Sequence, residues 1–188
     1  MKKTLLGLSI VVALSPTLAS AQPHNVKGGY IGGSLGQTEL DVSSEDRTFI
    51  SNNGGKVDET DTGFKVFGGY RVNNYVAVEG FYADFGEASV EVSGNKVTMG
   101  SDSLGVSVVG IIPVTDSFDL FGKVGLHAWD AELESNVGVL SSEDGTDTMF
   151  GVGAAYTINQ VSIRAEYENY TVENEDISMM SVGIAYKF

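Results

Sequence analysis

Met179-Met180-Ser181-Val182-Gly183-Ile184-Ala185-Tyr186-Lys187-Phe188 closes the chain on a strict alternation. Met180, Val182, Ile184, Tyr186 and Phe188 share one face. Ser181, Gly183, Ala185 and Lys187 share the other, with Met179 as the apolar exception. A period of two is the signature of a β-strand, whose successive side chains point to opposite sides. One face is wide and apolar; the other is small or charged.

Seven further segments carry the same pattern, so eight strands are predicted at about 28–40, 62–72, 75–86, 103–114, 118–131, 148–158, 161–171 and 177–188. Each alternates over ~9–11 residues, the length a tilted strand needs to cross a bilayer. In the fourth, Leu104, Val106, Val108 and Ile112 oppose Gly105 and Ser107; in the seventh, Val161, Ile163, Ala165 and Tyr167 oppose Ser162, Arg164, Glu166 and Glu168. Glycine and charge sharing one side suit the crowded, narrow lumen of a barrel better than the core of a soluble sandwich. The connections alternate in length. Asn73-Asn74, Thr115-Asp116-Ser117 and Asn159-Gln160 are short, whereas 41–61, 87–102, 132–147 and 172–176 are longer and richer in acid. Short periplasmic turns and longer extracellular loops are the sidedness of outer-membrane barrels. A soluble lipocalin-like barrel has no reason for it. The predicted fold is all-β: an eight-stranded antiparallel up-and-down transmembrane β-barrel. Closure is required because lipid leaves no water to satisfy an open sheet edge.

Working back to the start, Met1-Lys2-Lys3, the apolar run Leu5–Leu14 and the small residues Ala19-Ser20-Ala21 form a secretory signal peptide over 1–21, leaving a barrel domain over 22–188. No Cys follows the cleavage site, which argues against a lipoprotein anchor. The mature chain carries nine basic against 25 acidic residues, a formal charge near −16. Phosphates would repel it, which argues against nucleic acid as a partner. Without cysteine, burial and hydrogen bonding must hold the fold. Aromatic residues gather at predicted strand ends. Tyr70, Tyr75, Phe118, Tyr156, Tyr186 and Phe188 lie toward the short turns; Tyr82, Phe85, Trp129, Phe150 and Tyr167 lie toward the long loops, with Phe85 and Trp129 inward by parity. These positions predict two interfacial girdles. The expected location is the outer membrane of a Gram-negative cell, crossed many times.

Three stretches carry a family resemblance. Val66-Phe67-Gly68-Gly69-Tyr70-Arg71-Val72-Asn73-Asn74-Tyr75-Val76 with Glu79 resembles the second hairpin of OmpA-type transmembrane domains. Pro113-Val114-Thr115-Asp116 with Asp119-Leu120-Phe121 and Lys123 resembles the third, and Ser181–Phe188 resembles the end of that barrel. The resemblance implies that Tyr186 and Phe188 form the signal read by the barrel assembly machinery. OmpA proteins continue into a peptidoglycan-binding domain; with the sequence given to Phe188, the expectation is a stand-alone barrel of the OmpX and Ail kind. It also implies that the positions of Glu79 and Arg164 form a lumen salt bridge that plugs the pore and can exchange partners. The exchange partners of the family fall here on Ala155 and Val109, so a plug is expected and a switchable gate is not.

By parity Lys65, Glu79, Lys123, Arg164, Glu166 and Glu168 all point inward, where an unpaired charge is costly. Glu79 is expected to pair with Arg164, Lys123 or both, and Glu79→Ala to raise conductance. The acidic loops hold carboxylates of the type Ca²⁺ takes, but no twelve-residue calcium loop is present. Only two His exist. His24 precedes the barrel and His127 points to the lumen with no Ser nearby in its strand, so neither an enzyme nor a metal site nor a cofactor is expected. The predicted function is a structural or adhesion-type surface role through the acidic extracellular loops; the alternative is a narrow, low-conductance pore with an ion-pair plug. Expected partners are outer-membrane lipid and lipopolysaccharide, the assembly machinery, and a host or surface receptor, with the protein a monomer.

Overall fold

A computed structural model describes residues 27–40, 56–58, 60–92, 95–135, 138–172 and 175–188. The predicted signal peptide, His24 and most of the expected 41–61 loop lie outside these residues. Eight long strands form a ring: β1 (Gly28–Leu40), β3 (Thr60–Arg71), β4 (Val76–Val92), β5 (Asn95–Pro113), β6 (Phe118–Ser135), β7 (Gly138–Ile158), β8 (Val161–Val172) and β9 (Glu175–Lys187). A three-residue strand, β2 (Lys56–Asp58), pairs with the far end of β4. All neighbours are antiparallel, β1 pairs with β9, and the β4–β5 pairing leaves no gap, so the sheet closes on itself.

The stagger can be read from the register. Asp84 pairs directly with Asp102 of β5. Followed the other way round, the row runs Asp84, Phe64, Leu35, Val182, Ala165, Ala154, Leu120 and reaches β5 at Ile112. The two arrivals on β5 differ by ten residues. With ~3.3 Å per residue and ~4.8 Å between strands, that shear tilts eight strands by about 40° and sets a backbone radius near 8 Å. Side chains alone fill such an interior.

The sequence forces this arrangement locally. At the first short turn, Asn73 Oδ1 accepts from the backbone N–H of Tyr75 and Val76 at 2.8 and 2.9 Å. At the second, Thr115 Oγ1 accepts from Phe118 N–H at 3.0 Å. At the third, Asn159 takes φ 56°, a conformation Asn tolerates better than most residues. The apolar faces point out: Leu104, Val106, Val108 and Ile112 are 52–66 % exposed. Only lipid makes such a surface favourable. Inward glycines sit where neighbouring backbone leaves no room for a side chain. A Cβ on Gly183 would sit 2.6 Å from the Gly33 carbonyl oxygen, whereas one on the outward Gly80 would meet nothing closer than 3.8 Å.

The structure corrects the expected loops. Residues 87–92, 95–102, 132–135, 138–147, 172 and 175–176 are strand, not loop. The β4–β5 ladder continues to Val92↔Asn95, β6–β7 to Ser135↔Gly138 and β8–β9 to Val172↔Glu175. The barrel wall therefore rises past the apolar belt as hydrogen-bonded sheet. A β-bulge marks the passage: the β4–β5 register shifts between Asp84 and Glu87, and Gly86 has φ 76°, which favours glycine. Asp84 Oδ1 holds this bend by accepting from Gly86 N–H at 2.9 Å.

Candidate functional site

The lumen brings Lys65, Glu79, Lys123, Arg164, Glu166 and Glu168 into one network, every member almost fully buried. Lys123 Nζ lies 2.9 Å from Glu79, 2.6 Å from Glu166 and 3.1 Å from Glu168. Arg164 reaches Glu79 at 2.8 Å and Glu166 at 2.9 Å. Lys65 reaches Glu166 at 2.9 Å and also contacts Glu168. Three cations thus meet three carboxylates, and the charges balance. Tyr30 donates its hydroxyl to Glu79 at 2.9 Å. The Arg164 guanidinium lies 4.4 Å from the Phe67 ring centroid and 4.8 Å from that of Phe121, so cation–π contacts fix it from two sides. Glu79 pairs with both Arg164 and Lys123. Ala155 and Val109, where the family's exchange partners fall, are the cross-strand neighbours of Arg164 and Lys123.

Toward the long-hairpin end, a second layer covers the ionic one. Tyr170 packs edge-on against Phe85 at 4.8 Å, His127 at 5.4 Å and Phe81 at 5.8 Å. Trp129, Met149 and Met179 are buried in the same region. The sequence pattern placed Phe85 and Trp129 inward but did not reveal a layer. It also missed the partner of His127: Ser103, on the neighbouring strand β5, lies 2.8 Å from His127 Nδ1. Counting outward from the 115–117 turn would have found it, because Gly105↔His127 and Ser103↔Trp129 follow from that turn. At the short-turn end Arg71 pairs with Asp119 at 2.7 Å and Lys187 donates to Thr157 at 2.9 Å. Tyr186 and Phe188 both face outward, and Phe188 N–H donates to the Gly29 carbonyl at 3.0 Å.

Residues 6–188 match the family model described as outer membrane protein beta-barrel domain. The chain belongs to this family. The family places it in the outer membrane of a Gram-negative cell. Outer membrane protein A of Escherichia coli O157:H7 is 29 % identical over 197 residues, and that of Shigella flexneri is 30 % identical over 203. The alignments take in all of this chain but 55 % and 56 % of theirs, so the chain spans about half the length of these relatives. Among solved structures, Ail of Yersinia pestis superposes with a TM-score of 0.60 at 19 % identity, over 86 % of this chain and 99 % of that one. OprG of Pseudomonas aeruginosa gives 0.59 at 15 %, over 86 % and 96 %. These two share the fold.

Within this family fold the outer wall carries a feature that no segment shows alone. Asp84, Asp102, Asp130 and Asp144 are consecutive cross-strand partners on β4, β5, β6 and β7. All four lie on the outward face, directly above the lipid-facing Tyr82, Leu104, Ala128 and Thr146.

Proposed function

We propose that this barrel is a non-enzymatic outer-membrane scaffold whose extracellular sheet makes surface contacts. The aspartate row carries the reading. Like charges directly opposite each other destabilise a sheet, by up to ~1 kcal/mol a pair. Three such pairs in a line oppose folding and therefore point to a role in contact. Rigid strands raise them clear of the apolar belt, as loops on a scaffold present recognition residues. The Ser103–His127 pair supports no hydrolase, because both residues are sealed within the lumen. The likeness to the attachment invasion locus protein of Yersinia pestis supports a surface role. Its complex with sucrose octasulfate, an anion, is no guide to the ligand here, because this wall would repel anions.

The test is transplantation. The four extracellular segments of this chain, moved onto an unrelated small barrel, should confer on its cells the surface binding shown by cells carrying this protein. Failure to transfer any binding would refute the reading.

A further inference from the structure

The cover over the ionic layer holds a histidine that the charge balance below does not use. His127 is buried on β6, with its ring edge-on to Tyr170 at 5.4 Å. Nδ1 lies 2.8 Å from Ser103 Oγ on β5. Nε2 is buried and makes no hydrogen bond, although the carbonyls of Thr148 and Thr171 lie near the ring. The cross-strand partner of His127 on β7 is Asp147, whose Oδ2 accepts from Trp129 Nε1 at 2.9 Å. That bond seats the Trp129 ring beside Gly145, where a Cβ would come within 2.6 Å of it. Asp147 therefore stands opposite His127 while bound to Trp129, two residues further along the same strand.

We propose that His127 is an acid-operated latch on this cover: a proton taken up by its ring draws Asp147 away from Trp129, and the cover loosens. Histidine is the side chain whose ordinary charge change falls between pH 5 and 8. The uncharged ring suits the aromatic packing around it, whereas a charged one there needs an anion. Among the described residues, few groups can answer that charge. On β5 there is the Ser103 hydroxyl. On β8 there are Tyr170 and, one inward position lower, Glu168, which Lys65 and Lys123 already hold. Phe81 and Phe85 of β4 and Met179 of β9 are in the same layer and carry no charge. On β7 stands Asp147, which no described cation pairs. A hydrogen bond between two charged groups is roughly twice as strong as one from a neutral donor, so the imidazolium outcompetes the indole for this carboxylate. The indole N–H is then left without its acceptor, and the ring leaves its seat at Gly145. Ser103, Trp129 and Gly145 form one cross-strand row at the foot of the extracellular sheet, so the footing of that sheet loosens with the cover. The closed cover belongs to neutral pH and is lost as the pH falls through the histidine range.

Trp129 is the chain's single tryptophan, so its own fluorescence reads the latch. The refolded mature protein is placed in phosphatidylcholine nanodiscs and quenched with acrylamide, an uncharged probe. Between pH 8 and pH 5 the quenching constant should rise by about threefold and the emission should shift to the red, reversibly and with a single-proton midpoint. The same midpoint should appear in the His127 ring resonances, read by NMR in a His24→Gln background. His127→Gln retains a side chain that can bond Ser103 but cannot charge, and it should keep Trp129 shielded at both pH values. Asp147→Asn still offers an oxygen to the indole but no charge to the imidazolium, and it should suppress the response as well. A wild-type Trp129 equally shielded at pH 5 and pH 8 would overturn the proposal. So would an undiminished response in His127→Gln, or a Trp129 midpoint that differs from that of the His127 ring. If His127→Gln does not refold, Asp147→Asn decides: a response equal to the wild type's would refute the latch.

Discussion

Replacing Glu79 by Ala removes the acid on which two lumen cations converge. Lys123 at 2.9 Å and Arg164 at 2.8 Å lose a partner, as does the Tyr30 hydroxyl. The network passes from three cations and three carboxylates to an excess positive charge, in a space with no room for bulk water. Removing one partner of a buried pair costs about 3–5 kcal/mol, mostly because the other is left uncompensated. Glu79→Ala should therefore lose stability of that order in equilibrium unfolding by guanidinium from lipid vesicles, followed by Trp129 fluorescence. Arg164→Met should cost a similar amount, since Glu79 then keeps Lys123 as its one cation beside the Tyr30 hydroxyl. The double variant separates charge balance from general damage. It leaves Lys65, Lys123, Glu166 and Glu168, a neutral group already joined by four close ion pairs. Its cost should fall below the sum of the two singles by about 1–3 kcal/mol. Strict additivity, or a Glu79→Ala loss below about 1 kcal/mol, would refute the view that these six residues act as one balanced unit.

Other consequences follow from the geometry. Glu79→Ala alone should leave planar bilayers closed, because the layer of Tyr170, Phe85, His127 and Trp129 lies over the ionic one; this departs from the conductance expected of a lone ion-pair plug, and stepwise opening in that variant would contradict it. Gly183→Ala should cost about 1–3 kcal/mol by forcing a methyl against the Gly33 carbonyl, whereas Gly80→Ala should be neutral or slightly stabilising, both read from the same unfolding curves. Val108→Arg, in the middle of the apolar stretch of β5, should cost about 2–4 kcal/mol in lipid, and an unchanged midpoint would mean that this face does not meet hydrocarbon.

The membrane-spanning part was legible because lipid imposes the same demand on every strand. Val106, Val108 and their equivalents had to alternate with Ser107 and Val109 whatever their partners were. Parity alone then placed Lys65, Glu79, Lys123 and Arg164 on the inward side. Where the wall leaves the bilayer, that demand ends. Asp102 and Asp144 occupy outward positions that would be apolar a few residues lower, so their stretches read as acidic loops, whereas Asp84 and Asp130 fell near the ends of expected strands. The remaining signal was weaker: Val90 and Val92, then Val97, are strand formers on either side of the dipeptide Ser93-Gly94. Contacts across strands were hidden for a different reason. The aspartate row and the Ser103–His127 bond depend on register, which is set by turns far from the residues involved.

The central claim is that the alternating faces divide hydrocarbon from a filled lumen. The chain has no cysteine, so single Cys replacements along β7 can carry a spin label without interference. Labels at 150, 152, 154, 156 and 158 should collide with membrane-dissolved oxygen, and labels at 151, 153, 155 and 157 should be shielded from it. Collision instead with a water-soluble nickel reagent at the first set, or no alternation between the sets, would contradict the account.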